Sequence, residues 1–202
     1  MKRIVLASAS PRRRALLAAL GLEFDVVTSG APEVDDGLPP EELVVTNACV
    51  KRDEAARQLV EPSLVIAADT LVFLGQQTLS KPADLEAARA MLARLSGRTH
   101  TVMTGVALVD TATGATAQGY ERTEVTFRDL TAEEIAHFVH ACRPVDRAGA
   151  YTVDGPGSLL VAAYAGCYQN VLGLPIVRLD LLMRKLGYSL FELMDHSRAE
   201  FL

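Results

Sequence analysis

An aspartate inside an apolar run is the first residue of this chain whose position suggests chemistry. Asp69 lies between the apolar segments 64–68 and 71–73, a composition typical of a buried strand. A buried carboxylate without a partner costs on the order of several kcal/mol, or it takes up a proton. We therefore expect Asp69 either to be paired with a lysine or backbone donors, or to act as a general base or metal ligand at the wall of a cleft.

Two lysines flank Asp69 in the sequence, and each has an unusual position. The helical spacing from Asn47 to Lys51 places the lysine at the edge of a buried helix face, where it either extends to solvent or points into a cavity. Lys81 precedes Pro82, which favours an extended backbone and directs the lysine away from the end of a strand.

Three consecutive arginines, Arg12, Arg13 and Arg14, occupy the first turn of a predicted helix that Ser10 caps and Pro11 begins. Exposed cations at a helix N-terminus are disfavoured by about 0.3–1 kcal/mol each. A bound anion reverses this effect, because free N–H groups and guanidinium groups then converge on it. A solvated basic patch is the alternative interpretation. The segment is not a Walker loop, because the glycine-rich stretch of that motif is missing.

These charged residues together fit the hydrolysis of a phosphoanhydride. The arginines, Lys51 and Lys81 would neutralise a polyphosphate. Asp69 and one acid from the segment 33–36 would hold a divalent ion or orient the attacking water.

Composition narrows the class of protein. The chain has 202 residues, half of them hydrophobic, which suits one domain with a full core. A formal net charge of -5 gives no reason to expect nucleic-acid binding, and no apolar run is long enough to span a membrane or act as a secretory signal. Cys49, Cys142 and Cys167 are scattered and odd in number, which favours reduced thiols in the cytoplasm.

The elements that must position these residues alternate between strands and helices, with one hairpin, and so predict an α/β fold with a mixed sheet. Strands are expected at 3–7, 24–27, 64–73, 99–110, in a partner strand ending at 127, and at 158–163. Helices are expected from residue 11, at 40–59, at 84–95, after the capping box at 131–134, and at 175–186.

Short motifs extend this pattern over nearly the whole chain. They lie at residues 6–13, 51, 68–70, 81–82, 95–100, 123–127, 148–151 and 173–175. In this order the motifs resemble those of the Maf family of nucleotide pyrophosphatases. Each motif alone is unspecific, but their combination is specific.

The resemblance implies a cytoplasmic enzyme that cleaves nucleoside triphosphates between the α and β phosphates, releasing a monophosphate and pyrophosphate with the help of Mg²⁺ or Mn²⁺. It implies an α/β fold in which helices flank a mixed, bent sheet around a deep cleft. The whole chain, 1–202, would form this single domain of two lobes, often in a homodimer, with neither nucleic acid nor a membrane as partner.

Roles carry over from the family only to matching positions. Asp69 resembles the proton acceptor for water and, with Glu33, a ligand of the divalent metal; Asp35 or Asp36 could replace Glu33. The residues that resemble the phosphate cradle are Ser8, Arg12, Arg13, Lys51 and Lys81.

The chain is similar to the branch of dTTP/UTP pyrophosphatases, which has Asp-Thr in the catalytic strand and Gly-Ala-Tyr later. Here these motifs are Asp69-Thr70 and residues 149–151, together with Arg13. Asp154 departs from the glutamine typical of that branch, and an ionised aspartate only accepts hydrogen bonds. The resemblance implies dTTP, UTP or modified pyrimidine nucleotides as substrates, with Arg13, Thr70 and Asp154 affecting specificity.

Two other functions stay open at this point. One is a nucleotide-binding regulator of cell division (septum formation) without strong turnover. The other is a housecleaning pyrophosphatase of the inosine-triphosphate type.

Overall fold

The computed structural model describes residues 3–200, which form seven strands and seven α-helices. The strands are β1 (Arg3–Ala7), β2 (Asp25–Val26), β3 (Ser63–Leu74), β4 (Gln77–Thr78), β5 (Thr99–Asp110), β6 (Thr116–Phe127) and β7 (Val161–Ala165). The helices are α1 (Pro11–Ala18), α2 (Pro40–Arg57), α3 (Leu85–Leu95), α4 (Ala132–Cys142), α5 (Tyr168–Leu172), α6 (Ile176–Lys185) and α7 (Leu190–Leu193). Two 3₁₀ segments cover Ala148–Ala150 and Gly155–Leu160.

All seven strands belong to one mixed sheet with the order β2-β1-β3-β5-β6-β7, and β4 pairs with the end of β3. β1 is parallel to β2 and to β3, whereas the other pairs are antiparallel. The predicted α/β class with a mixed sheet is confirmed. The ends of the predicted domain, residues 1–2 and 201–202, lie outside the described residues. None of the helices within 3–200 is long and apolar enough to cross a membrane.

β1 ends beside the middle of β3 and leaves a gap in the sheet. Ala7 pairs with Ala67, and the next strand on that edge, β4, pairs with β3 only from Phe73 onward. Between these points, residues 68–71 have no strand partner on this edge within the described part of the chain. Ligands of α/β proteins commonly bind beyond the carboxyl ends of strands. The gap therefore places Asp69 at a natural binding crevice.

The two faces of β3 pack against different helices. Ile66 belongs to the core under α1 and α6, whereas Ala67 packs on the α2 side. Because side chains alternate along a strand, Asp69 shares the α2 face with Ala67 and Leu71. The carboxylate thus faces the helix that carries Lys51.

A glycine allows α2 to lie close against this face. Gly105 of β5 pairs with Asp69. A Cβ atom at Gly105 would lie 2.1 Å from the backbone oxygen of Val44 in α2. Any other residue there would push the helix outward, and with it Asn47 and Lys51.

A second core under α3 and α4 contains a histidine. His100 is buried, its Nε2 is 2.6 Å from the Tyr151 hydroxyl, and the edges of both rings meet Phe127. The His100 Nδ1 atom has no hydrogen-bond partner among the described residues. Burial lowers the pKa of His100 to about 4, because desolvation disfavours the charged ring.

Several local predictions are confirmed. The Ser10 side chain accepts a hydrogen bond from the first turn of α1, which Pro11 begins. Thr131 and Glu134 form the expected capping box at the start of α4. The short helices α5 and α7 were not predicted, because five and four residues carry too little periodicity.

The strand predicted over 158–163 is wrong at its start. Residues Gly155–Leu160 form a 3₁₀ helix, and β7 begins only at Val161. Gly155 has φ +54°, and a Cβ on Gly157 would lie 1.6 Å from the Thr152 carbonyl oxygen. The chain therefore turns back on itself here, which excludes an extended strand.

We expect Gly105→Ala to lower the free energy of unfolding by about 1–3 kcal/mol, because the added methyl group forces α2 off the sheet. Urea unfolding measures this change. Gly119→Ala on β6 is the matched control, since its Cβ would meet Leu182 at an ordinary 3.6 Å. Equal losses of stability in the two variants would contradict the close approach.

We expect His100 to make folding stability fall on acidification. The unfolded histidine takes up a proton near its ordinary pKa of 6.5, whereas the folded one does so only near 4. The contribution of His100 to the free energy of unfolding is complete above pH 6.5 and falls by about 3 kcal/mol as the pH drops to 4. Unfolding free energies at several pH values should show a shallower slope in His100→Asn than in the wild type; identical slopes would refute the assignment.

Candidate active site

A cavity of about 350 Å³ opens over the gap in the sheet. It is bounded by the loop after β1, by residues 69–72 at the open edge of β3, and by the segments around residues 146–152 and 171–173. Eight of the residues predicted from the sequence line it: Ser8, Arg12, Arg13, Glu33, Lys51, Asp69, Thr70 and Lys81.

The Asp69 carboxylate is buried and bound on both oxygens. Its Oδ1 accepts a hydrogen bond from Lys51 Nζ at 2.6 Å, and its Oδ2 accepts one from Asn47 Nδ2 at 3.0 Å. The residue is 3% exposed. Both a cation and a hydrogen-bond network therefore stabilise the buried acid, and two donors on two oxygens suit an ionised carboxylate.

Lys51 bridges two acids and points into the cavity. Its ammonium group lies 2.6 Å from Asp69 and 2.6 Å from Glu33 Oε1. The lysine side chain is 13% exposed, so it does not extend to solvent. Because the positive charge of Lys51 lies between them, the two negatively charged carboxylates lie close together without strong mutual repulsion.

Asn47 holds the acidic loop, residues 33–36, in place. Its amide accepts from the Val34 N–H and donates to the Val34 carbonyl, both at 2.9 Å. This pair fixes the residue that follows Glu33, and the same amide group also reaches Asp69. Asp35 and Asp36 are exposed and do not line the cavity.

Arg13 joins three separate segments of the site. Its guanidinium donates to the Gly173 carbonyl at 2.7 Å, to Thr70 Oγ1 at 2.9 Å and to Ser8 Oγ at 3.2 Å. Thr70 Oγ1 also lies 2.9 Å from Thr104 Oγ1. Burial lowers the pKa of Arg13, which is partly offset by the nearby Asp69 charge. The Arg13 side chain is thus engaged by protein acceptors.

Arg12 and Lys81 are different, because neither makes a hydrogen bond or ion pair with any residue between 3 and 200. Arg12 is half-buried, and Lys81 is exposed at the mouth of the cavity. Burial, and then the charge of Arg147, lowers the pKa of Arg12, and the charges of Asp154 and Asp146 partly offset this. Two cations without a direct ion pair at one cavity favour an anionic ligand.

The sequence reasoning missed Arg147, which also lines the cavity beside Asp146. Its one sequence signal was its position directly before the motif at 148–151. The lining carries five basic side chains (Arg12, Arg13, Lys51, Lys81, Arg147) and three acidic ones (Glu33, Asp69, Asp146). The cavity is therefore basic, although the whole chain has a net charge of -5.

Asp154 does not line the cavity. It is exposed directly before the 3₁₀ segment Gly155–Leu160, and it accepts a hydrogen bond from the Thr152 hydroxyl. Thr152 itself is a lining residue.

A divalent ion would find two carboxylates here. No group of three or more His, Cys, Asp or Glu side chains within residues 3–200 is arranged to hold a metal. Mg²⁺, however, is usually bound by one or two carboxylates together with substrate phosphates and water. Glu33 and Asp69, both held to Lys51, fit an ion that arrives with a phosphate ligand.

Comparison with known proteins gives an independent result. Residues 3–186 match the sequence profile of the family described as Maf-like protein. The chain is 48% identical to the dTTP/UTP pyrophosphatase of Moorella thermoacetica over 188 residues, 93% of this chain and 96% of that protein. It is 45% identical to the dTTP/UTP pyrophosphatase of Pelotomaculum thermopropionicum over 190 residues, 94% of this chain and 99% of that protein.

A solved structure, the Ham1 protein of Staphylococcus aureus, is similar at 18% identity with a TM-score of 0.46, covering 63% of this chain and 73% of that one. That likeness is too distant to bear on the site. The family profile matches the chain from β1 to just after α6, and the two relatives share nearly half of its residues. The chain therefore belongs to the Maf family.

Proposed function

We propose that the protein hydrolyses nucleoside triphosphates, with dTTP and UTP as substrates, to a nucleoside monophosphate and pyrophosphate. The observation that carries the proposal is the buried Asp69 carboxylate, held by Lys51 and Asn47 at the wall of a basic cavity. The relatives described above are named dTTP/UTP pyrophosphatase, which supports the choice of substrate.

The basic side chains would bind the triphosphate. Arg12 and Lys81 make no direct ion pair or hydrogen bond within the described residues, so phosphate oxygens can pair with them without breaking an existing contact. The loop after β1 brings Ser8 and the start of α1 to the same cavity. Helix N-termini bind phosphate favourably, because the helix dipole is positive there and the first backbone N–H groups are free to donate.

Asp69 would act as the general base. A carboxylate has about four lone-pair directions, and two of them accept from Lys51 and Asn47, which leaves room for a water molecule. Water oxygen forms a bond to the α-phosphorus, its proton passes to Asp69, and the bond between the α-phosphorus and the bridging oxygen breaks. Pyrophosphate then leaves with the bonding electrons, stabilised by the surrounding cations.

Glu33 and Asp69 would hold Mg²⁺ or Mn²⁺, which when bound neutralises phosphate charge. Lys51 lies between the two carboxylates, 2.6 Å from each. An ion held by both acids would compete with the Lys51 ammonium group for these carboxylates, and a displaced Lys51 would pair with a phosphate instead.

Arg13 and Thr70 would affect specificity by shaping the site. The Arg13 guanidinium donates to the Thr70 hydroxyl of β3, to the Gly173 carbonyl and to the Ser8 hydroxyl. All of these residues line the cavity. Asp154 would act from the rim through Thr152, whose hydroxyl it holds. The three free cysteines support a cytoplasmic setting for this activity.

A pure nucleotide-binding regulator would use the cations but has no need for a buried acid at the cavity wall such as Asp69. A panel of nucleotides with Mg²⁺ or Mn²⁺, assayed for pyrophosphate release, separates the candidates. Binding of every nucleotide without turnover would favour the regulator. A preference for deaminated purines would favour the inosine-triphosphate type.

We expect Asp69→Asn to lower kcat by about 10²–10⁴-fold, because the general base is lost while the side-chain volume is kept. Pyrophosphate release and thermal unfolding should be measured together, so that loss of fold is distinguished from loss of chemistry. Asp36→Asn serves as the control, since that acid is exposed and does not line the cavity. Near-normal turnover by folded Asp69→Asn protein would rule out the assigned base.

We expect Lys51→Met to bind Mn²⁺ about tenfold more tightly or better in the absence of nucleotide, because the competing positive charge is removed. Titration calorimetry of the free protein measures this affinity. Lys81→Met removes a lysine from the mouth of the same cavity and should leave metal affinity as it is. Unchanged Mn²⁺ affinity in Lys51→Met would contradict the exchange of Lys51 for the metal.

A further inference from the structure

Arg147 has no place in the site derived from the sequence, yet its side chain enters the same cavity. It follows α4 and immediately precedes the 3₁₀ segment Ala148–Ala150. The Arg147 side chain is 30% exposed, and it pairs with the adjacent Asp146, with Nε 3.3 Å from Oδ1. Asp146 is itself 72% exposed, so this contact is a weak, solvated one.

Arg12 and Arg147 line the same cavity, and their like charges repel. Arg12 comes from the first turn of α1, far away in sequence, and it makes no hydrogen bond or ion pair with residues 3–200; the charges of Asp154 and Asp146 offset only part of the repulsion. Two guanidinium groups on one cavity raise the energy of the empty site, and the effect is larger where the cavity is partly shielded from water. A polyanion between them would reverse the sign of that energy.

Protein groups bind two of the five basic side chains that line the cavity. Arg13 is bound to Gly173, Thr70 and Ser8, and Lys51 is bound to the two acids. Arg12, Arg147 and Lys81 are the basic lining residues that remain without a strong partner in the described structure.

We propose that Arg147 and Arg12 together bind the two terminal phosphates of the substrate, the part that leaves as pyrophosphate. This inference rests on the proposed function and deepens it, since it orients the substrate. The α-phosphorus lies toward Asp69, and the β and γ phosphates lie toward the arginine pair. Negative charge grows on the bridging oxygen as the bond to the α-phosphorus breaks, and a guanidinium fork can bind two phosphate oxygens at once.

Inorganic pyrophosphate with Mg²⁺ is the probe, and Arg147→Gln is the test variant. Titration calorimetry should show that Arg147→Gln binds pyrophosphate about tenfold or more weakly than the wild type, because a charge-assisted pair is lost. With dTTP, kcat/KM should fall by a similar or larger factor. Arg147→Lys should fall between the two, since lysine keeps the charge but not the fork.

Arg143→Gln is the matched control, because Arg143 ends α4 four residues earlier, is exposed and does not line the cavity. It should keep wild-type affinity for pyrophosphate and wild-type kcat/KM. Thermal unfolding of each variant shows whether the protein tested is folded.

Wild-type affinity for pyrophosphate in folded Arg147→Gln protein overturns the inference. If that variant fails to fold, unchanged affinity in Arg147→Lys overturns it instead. Failure of the proposed function is a separate result: the wild type would then release no pyrophosphate from any nucleotide. A loss of pyrophosphate binding in Arg147→Gln would still support the anion site in that case.

Discussion

The bridge from Lys51 to Asp69 and Glu33 is the interaction on which the site depends. A carboxylate as buried as Asp69 requires compensation, and Lys51 and Asn47 of α2 supply it from one helix face. That helix comes close enough only because Gly105 has no side chain opposite Val44. The end of β1 at Ala7 then opens the sheet at the same level, so the buried acid faces a cavity rather than another strand.

The basic residues around this cavity fall into two groups with different tasks. Arg13 and Lys51 are neutralised or bound by the protein itself and hold β3, α1, α2 and the acidic loop together. Arg12, Lys81 and Arg147 are left available for an anion. The proposed phosphoanhydride hydrolysis would need both groups, one to hold Asp69 as the base and the other to stabilise the leaving phosphates.

Local sequence rules predicted the elements well where the signal was local. Ser10 and Pro11 begin α1, and the capping box at Thr131 begins α4, because those signals act within one helical turn. The prediction that a strand begins at residue 158 was wrong, because the apolar residues there follow a Gly-Pro-Gly turn that packs against Thr152. Composition did not reveal that contact.

By itself the sequence determined the family, the α/β class and most residues of the cavity, because motifs and periodicity are written along the chain. Only the tertiary structure decided which charges meet. Arg13 reaches the Gly173 carbonyl, 160 positions away, and Arg147, which follows α4, comes to line the same cavity as Arg12 of α1. Such meetings depend on strand register and helix docking, which set distances between segments that no local pattern encodes.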